Sequence, residues 1–383
     1  MLNSINIQDP KKTLFYCIVI ILMLPLLQMK TKLVKVQPLK GSFKTEEATS
    51  FSFTAWFNGT YSVEQEKYLN EHFGFRNLFV RIYNQIQYSL FREAKANGVI
   101  VGNDNYLYEE DYILAYLGRD FIGEKKIKNK VDKLIQIRDT LKTINIDLIV
   151  VLAPGKGSFY PEYIPEKYNP SNKTTSNYEI YRKTIIEQDL NLLDFHSWFI
   201  SMKGSSQYPL FPKTGIHWSK YGEFLVADSI IKYIHSLNNE FFQSHIILDK
   251  INYSKNILDT DDDIEEGMNL LFNIKDLKMA YPNFRFETKS ISQLKALTIA
   301  DSYYWGLFNS GLSKHAFNNS QFWFYNEQIY PESYDASLNV DDIELQKTIE
   351  SNNIIILLST DANLHKFAFG FIDEVYDLYF ESN

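Results

Sequence analysis

At 383 residues, with 45% hydrophobic and 22% charged side chains, the chain has room for one large domain or two ordinary ones around a real core. A net charge of −8, with no Lys/Arg stripe interleaved with aromatics, excludes a nucleic-acid surface. The single cysteine, Cys17, excludes an internal disulfide and a thiolate cluster. The seven histidines show neither HxH nor HExxH spacing, so neither a metal nor any other cofactor is expected.

Leu14–Leu27 is apolar almost throughout, with Lys11 and Lys12 before it and Lys30, Lys32 and Lys35 after it. With its flanks it approaches the roughly 17–25 residues of a membrane span. It lacks a small-residue cleavage site, which predicts an uncleaved signal anchor over residues 1–29; a buried core helix is the alternative. The lysine balance points the body inward, but long domains translocate largely regardless of such charge, so charge leaves the side open. Residues 30–60, mixed Lys, Ser, Thr and aromatic, read as a juxtamembrane linker, and 61–383 as the main domain.

From Ser62 to about Lys95, apolar residues recur at three- and four-residue steps, interrupted at Gly74, which predicts two helices. Val99–Tyr108 has the two β-rich runs and Gly/Asn/Asp turn of a hairpin. An amphipathic helix is expected over 123–145, then a buried strand Ile146–Leu152 that ends in the loop Ala153–Gly157. A helix over 177–188 leads to a strand closing at Asp194, and another helix begins near Lys220. Residues 236–290 carry little periodicity. The acidic run Asp259–Glu266 lies there and reads as a solvated loop rather than a calcium site, because it lacks the EF-hand spacing. A buried strand Leu294–Ala300, a helix near 341–351 and a strand Ile354–Leu358 complete the chain.

Buried strands alternating with amphipathic helices predict an α/β three-layer sandwich with a mostly parallel central sheet. In such folds chemistry gathers in the loops beyond the carboxyl ends of the strands. Those loops are Ala153–Gly157, Asp194–His196, Ala300–Tyr303 and Ser359–Asn363. No glycine-rich phosphate fingerprint is present, so nucleotide binding has no support. Ser302 stands where a strand breaks into a turn, the placement a nucleophilic serine needs, although a polar helix cap fits the same residues. His217, in the Pro- and Gly-rich Phe211–Gly222, reads as a general base for such a serine or as a structural loop histidine.

Through five segments in order, Phe73–Arg76, Asn105–Tyr108, Val151–Lys156 with Tyr160–Pro165, Lys213–Trp218 and Ala300–Tyr303, the chain resembles the alginate O-acetyltransferase-like proteins, whose SGNH-hydrolase-like domain lies outside the cytoplasmic membrane. Phe73–Arg76 is similar to the family's HFPFR, and Asn105–Tyr108 to its GWLFY. Val151–Lys156 with Tyr160–Pro165 is similar to PxK…YPE.LP, Lys213–Trp218 to KTDTHW, and Ala300–Tyr303 to GDSY. The resemblance implies Ser302 as nucleophile and His217 as general base in acetyl transfer to a hydroxyl of an extracellular polysaccharide. It further implies a membrane-bound acyltransferase as acetyl donor and a domain facing outward. Backbone N–H groups of Ser302 and Tyr303 are the expected oxyanion donors, with the Ser359–Asn363 loop as a further source. Lys156, Trp218, Tyr303 and Tyr304 are expected at the substrate, with a surface role as the alternative for Lys156.

One departure stands out. The family's Asp-x-His pair supplies the aspartate that orients the histidine, and here that position is Gly215. Asp361 and Asp194, each ending a buried strand, are the expected replacements, and Asp301 is expected to bond its own turn. A carbohydrate O-acetyl esterase and a catalytically impaired polysaccharide-binding or scaffold protein are the competing functions.

Overall fold

The computed structural model describes residues 10–41, 48–237, 244–275, 277–288 and 294–381. The chain divides into two compact units, Met1–Asn97 with Glu265–Asn273, and Gly98–Ile264 with Ile274–Asn383.

The first unit begins with α1 (Pro10–Thr31), 22 residues long and apolar enough to cross a membrane by length and composition. Next come α2 (Phe53–Phe57), capped by the Ser52 hydroxyl, α3 (Thr60–His72) and α4 (Arg76–Ile86). Gly74 lies in the break between α3 and α4, as its place in the pattern predicts. Within this unit Asn84 donates to the Met268 carbonyl at 2.8 Å, and Arg81 donates to that of Leu270 at 3.1 Å.

The second unit opens on the expected hairpin, β1 (Val99–Val101) and β2 (Leu107–Glu109), followed by α5 (Glu110–Tyr116). Helix α6 (Glu124–Thr143) buries Ile127, Val131, Leu134, Ile137 and Leu141 along one stripe, the 3.6-residue repeat in use. Strand β3 (Asp147–Ala153) is wholly apolar after its first residue and buried on both faces. The short α7 (Lys156–Phe159) follows; α8 (Asn177–Glu187) starts with a Ser176/Glu179 capping box. Then come β4 (Asn191–Asp194), α9 (Phe195–Met202) and α10 (Lys220–Leu237).

Residues 244–288 differ from expectation. They hold a long antiparallel pair, β5 (Ser244–Ser254) and β6 (Met279–Thr288), with a register shift at Leu248/Lys250. Between the strands the chain makes a 3₁₀ turn at Asp259–Asp262 and α11 (Asp263–Met268). Strand β5 runs in blocks of half-buried and then exposed residues rather than in alternation, and its partner lies more than twenty residues further on. No local signal announces such a pairing.

The remaining elements are β7 (Ala296–Ala300), α12 (Tyr304–Asn309), β8 (Phe322–Phe324), β9 (Gln328–Tyr330), α13 (Leu345–Glu350), β10 (Ile354–Thr360) and α14 (Phe371–Tyr376). The six-stranded sheet has the order β4-β3-β10-β7-β8-β9. It is parallel except at its edge, where β9 runs against β8, so the sheet is mixed and mostly parallel. On one face, Leu148, Val150, Leu152, Leu297, Ile299, Ile355 and Leu357 join a core with residues of α6, α8 and α14. Register places the functional loops: Ala300 pairs with Leu358, and Thr360 with Ala153. Strands β7, β10 and β3 therefore end nearly level, and the turns after them emerge side by side.

Leu357, fully buried at the centre of the sheet, tests this core. Leu357→Ala is expected to cost about 2–5 kcal/mol, read as a lower urea midpoint in equilibrium unfolding. An unchanged midpoint would contradict the central place of β10.

Candidate active site

The turn after β7 is held from below by Asp301, whose carboxylate is fully buried. Its Oδ1 accepts the Tyr303 N–H at 3.1 Å. Its Oδ2 accepts the Thr360 N–H and hydroxyl, each at 2.8 Å, and the Asn363 amide at 2.9 Å. An ionised carboxylate only accepts, and these four donors supply the bonds that burial would otherwise cost it. Asp301 thus staples the serine turn to the end of β10, and Ser302 projects from the stapled backbone. The expectation that Asp301 bonds its own turn agrees with this geometry.

His217 sits in the loop ahead of α10. Its Nε2 lies 3.0 Å from Ser302 Oγ and its Nδ1 lies 2.6 Å from Asp263 Oδ2. The second oxygen of Asp263 accepts the Ile216 N–H at 2.9 Å, which fixes the carboxylate's rotation. Because the carboxylate offers no proton, Nδ1 carries the hydrogen, and Nε2 of the neutral ring turns its lone pair toward the serine hydroxyl. Burial pulls the His217 pKa down, but the hydrogen bond and charge of Asp263, reinforced by Glu223 and Glu109, outweigh it, and the net shift is upward. The arrangement is a proton relay from a hydroxyl to an imidazole backed by a carboxylate.

The carboxylate behind His217 is therefore Asp263, neither Asp361 nor Asp194. Asp194 ends β4, level with Leu152, and two strands separate β4 from β7. At about 4.8 Å per strand that is roughly 14 Å away. Asp194 instead caps α9 through the Ser197 N–H at 2.9 Å, and pairs with Arg182 at 2.6 Å and the Tyr178 hydroxyl at 3.0 Å. Asp361 follows β10 but turns toward β3, where Ser158 donates to its Oδ2 and the His196 ring lies 3.7 Å off. Burial raises Asp361 to about 7 and lowers His196 to about 4, so no strong ion pair joins them.

The acidic run is likewise no solvated loop. Asp261 is fully buried, and the turn it belongs to delivers Asp263 to the histidine. Gly215 makes room for that turn. A Cβ on Gly215 would lie 2.4 Å from the Thr260 carbonyl oxygen and 2.8 Å from that of Asp261, both rigid backbone. The residue that removes the family's aspartate thus admits the segment that brings another. The only signal in the sequence was the coincidence of a glycine at that position with a carboxylate-rich run elsewhere.

Four residues expected at the substrate are interior. Trp218, Tyr303, Tyr304 and Lys156 are all fully buried. Tyr303 acts on the loop instead, its hydroxyl donating to the Ile216 carbonyl at 2.8 Å. Tyr304 hydrogen-bonds Ser313 at 2.9 Å, and Trp218 packs edge-on against Tyr303. Of the two expected oxyanion donors, the Tyr303 N–H is committed to Asp301, which leaves that of Ser302. Tyr325, which the sequence did not suggest, joins the turn through its N–H to the Ala300 carbonyl at 2.9 Å. Burial raises its hydroxyl pKa, against opposing hydrogen bonds to Ser302 and Asn363. Among the described residues no cluster of His, Cys, Asp and Glu is arranged to hold a metal ion.

Comparison with known proteins agrees with the motif resemblance. Residues 99–245 match the family described as SGNH hydrolase-like domain, acetyltransferase AlgX. That stretch contains Lys156 and His217 and stops short of Asp263 and Ser302. The probable alginate O-acetylase AlgJ of Azotobacter vinelandii is 24% identical over 194 residues, covering 50% of this chain and 47% of that protein. Its counterpart in Pseudomonas fluorescens is 24% identical over 178 residues, 46% and 43% of the two chains. The chain thus spans about half the length of the curated relatives it matches. Among solved structures, the O-acetyltransferase domain of Pseudomonas putida AlgJ aligns with 73% of this chain and 99% of its own, at 13% identity and a TM-score of 0.42. The resemblance to the alginate O-acetyltransferase-like proteins is borne out, and the SGNH hydrolase-like description applies to the matched residues 99–245.

The role of Gly215 can be tested directly. Gly215→Ala is expected to displace the Thr260–Asp261 backbone and break the Asp263–His217 bond. The check is the downfield Nδ1 proton of the imidazole in the NMR spectrum, and a resonance unchanged from the parent would contradict it.

Proposed function

We propose that this chain is an O-acetyltransferase that moves acetyl groups onto hydroxyls of an extracellular polysaccharide through an acyl-Ser302 intermediate. The observation that carries the reading is the continuous relay Ser302 Oγ, His217, Asp263, with both links at hydrogen-bond length. The family match and the printed names of the relatives support acetyl as the group moved and a polysaccharide as its acceptor.

In the first half-reaction Ser302 Oγ attacks the donor's acetyl carbonyl while its proton passes to His217 Nε2. The tetrahedral oxyanion collapses, the carbon–oxygen bond to the leaving group breaks, and His217 returns the proton to that group. In the second, His217 takes the proton of an acceptor hydroxyl, whose oxygen attacks the acyl-serine ester. Collapse releases Ser302 with its proton restored from His217. Asp263 holds the ring in the productive tautomer and stabilises the imidazolium formed twice per cycle. The Ser302 N–H is the proposed oxyanion donor, and a good donor of this kind contributes about 3–4 kcal/mol.

Helix α1 is the proposed membrane anchor, with residues 30–60 as linker and 61–383 as the acetyltransferase domain. The body faces the periplasm or the outside, where a membrane-bound acyltransferase hands over acetyl groups. The same relay with water as acceptor would make the chain a carbohydrate esterase. Product analysis with and without an oligosaccharide acceptor separates transfer from release. The impaired or scaffold reading rested on Gly215, and Asp263 removes its motive.

Three outcomes are expected. Ser302→Ala should keep the fold, by circular dichroism, and lose acetyl transfer; full transfer by that folded variant would overturn the proposal. His217 must be neutral to act as base, and its pKa is raised. The acid limb of kcat/KM against pH should therefore have its midpoint above 6.5, the ordinary histidine value, with activity rising as pH rises through it. Asp263→Asn should lower kcat by about 10⁴-fold and move that midpoint down. A midpoint unmoved by Asp263→Asn would refute the assigned role of Asp263.

A further inference from the structure

Lys156 is a long cation with no exposed surface, the first residue of α7 and three residues beyond the end of β3. Its ammonium donates to the Lys213 carbonyl at 2.7 Å and to the Gly215 carbonyl at 2.6 Å. The rings of Tyr106 and Tyr108 stand 6.0 and 5.7 Å away, so aromatic faces add to the cation's surroundings. An ammonium costs far more to bury than a neutral side chain, and this one is tolerated because carbonyl dipoles converge on it. The two acceptors are two residues apart and belong to the strand of chain that ends in His217. A substrate cannot reach the cation.

From this geometry we infer that Lys156 is the positioning residue of the relay: it fixes the 213–215 backbone so that His217 meets Asp263 and Ser302 together. The inference rests on the reading of Ser302, His217 and Asp263 given above. Four peptide groups just before the histidine are held from outside the loop. Leu107 N–H and Lys156 hold the Lys213 carbonyl, and Lys156 holds that of Gly215. Tyr303 holds the Ile216 carbonyl, and Asp263 takes the Ile216 N–H. Gly215 has no side chain to pack, and the Thr260–Asp261 backbone occupies the space one would need. Its place in the loop therefore depends on bonds to its own peptide groups, and Lys156 supplies the charged one. Charge-assisted bonds of this kind are about twice as strong as neutral ones. Without them both carbonyls lose their charged donor, the Leu107 N–H alone does not hold the Gly215 end, and the loop relaxes, carrying His217 away from both neighbours.

Lys156→Met keeps the length of the side chain and removes both donors. In the full chain, kcat for acetyl transfer should fall by about 10²-fold, the cost of a small misplacement of a catalytic group, with KM for donor and acceptor unchanged. The downfield His217 Nδ1 proton should move or broaden in the NMR spectrum; this readout needs no turnover and stays decisive even if the assigned reaction is wrong. Combined with Asp263→Asn, the substitution should add little further loss, because both act through the same ring. A raised KM with kcat intact would make Lys156 a substrate contact and overturn the inference. So would wild-type kcat with an unmoved Nδ1 proton, or losses that multiply fully in the double variant. Should Lys156→Met fail to fold, Lys156→Gln, which keeps a neutral amide donor without the charge, decides. An intermediate kcat at unchanged KM supports the inference, and wild-type kcat overturns it.

Discussion

The hydrogen bond between His217 Nδ1 and Asp263 Oδ2, at 2.6 Å, is the contact on which the remaining site geometry depends. It fixes the imidazole tautomer, raises the ring's basicity against the pull of burial, and aims Nε2 at Ser302. A single carboxylate achieves this because its two oxygens are used differently. One faces the imidazole and the other accepts the Ile216 N–H beside it, so the acid is anchored to the loop whose histidine it orients. Sequence separation is immaterial to such a bond, since only the approach of the two segments matters. That approach is open because Gly215 leaves space for the Thr260–Asp261 backbone.

Two buried charges set the two halves of the site. Asp301 gathers the N–H of Tyr303 and Thr360, the Thr360 hydroxyl and the Asn363 amide, locking the serine turn to its neighbouring strand. Lys156 gathers the Lys213 and Gly215 carbonyls, locking the histidine loop to the turn after β3. Both are ions moved out of water and held by backbone dipoles, with side-chain donors added at Asp301, an arrangement that is rigid because loosening it exposes an uncompensated charge. Neither touches the proposed reacting atoms. Their arrangement leaves Ser302 and His217 half-buried at the ends of β7 and of the loop before α10 while the groups that hold them lie inside.

The aromatic richness of the sequence finds its use in the interior. Tyr303, Tyr304 and Trp218 read from the sequence as substrate contacts because they adjoin Ser302 and His217. They are interior because those two residues sit on tight turns whose next side chains point back into the protein. Tyr303 packs between Tyr112 and Trp218 and spends its hydroxyl on the Ile216 carbonyl. Adjacency in sequence to a functional residue therefore says little about which way a side chain faces when the backbone reverses between them.

What the sequence determined by itself was local. The apolar runs of β3, β7 and β10 required strands buried on both faces, the stripe on α6 required a helix, and the break after Ala300 required a turn with Ser302 on it. Each follows from side-chain periodicity and backbone preference over a few residues, and the alternation of strands and helices then restricts the sheet to mostly parallel pairing. The motif order identified Ser302 and His217 as a pair. The tertiary structure alone decided which carboxylate completes the relay, because Asp194, Asp263 and Asp361 are chemically equal and differ only in where the chain carries them. Strand order puts two strands between Asp194 and β7, the turn after β10 points Asp361 toward Ser158, and the unheralded β5–β6 pair brings the acidic segment under Gly215. Such placements depend on contacts between residues far apart in the chain, and no window of sequence contains the physics that sets them.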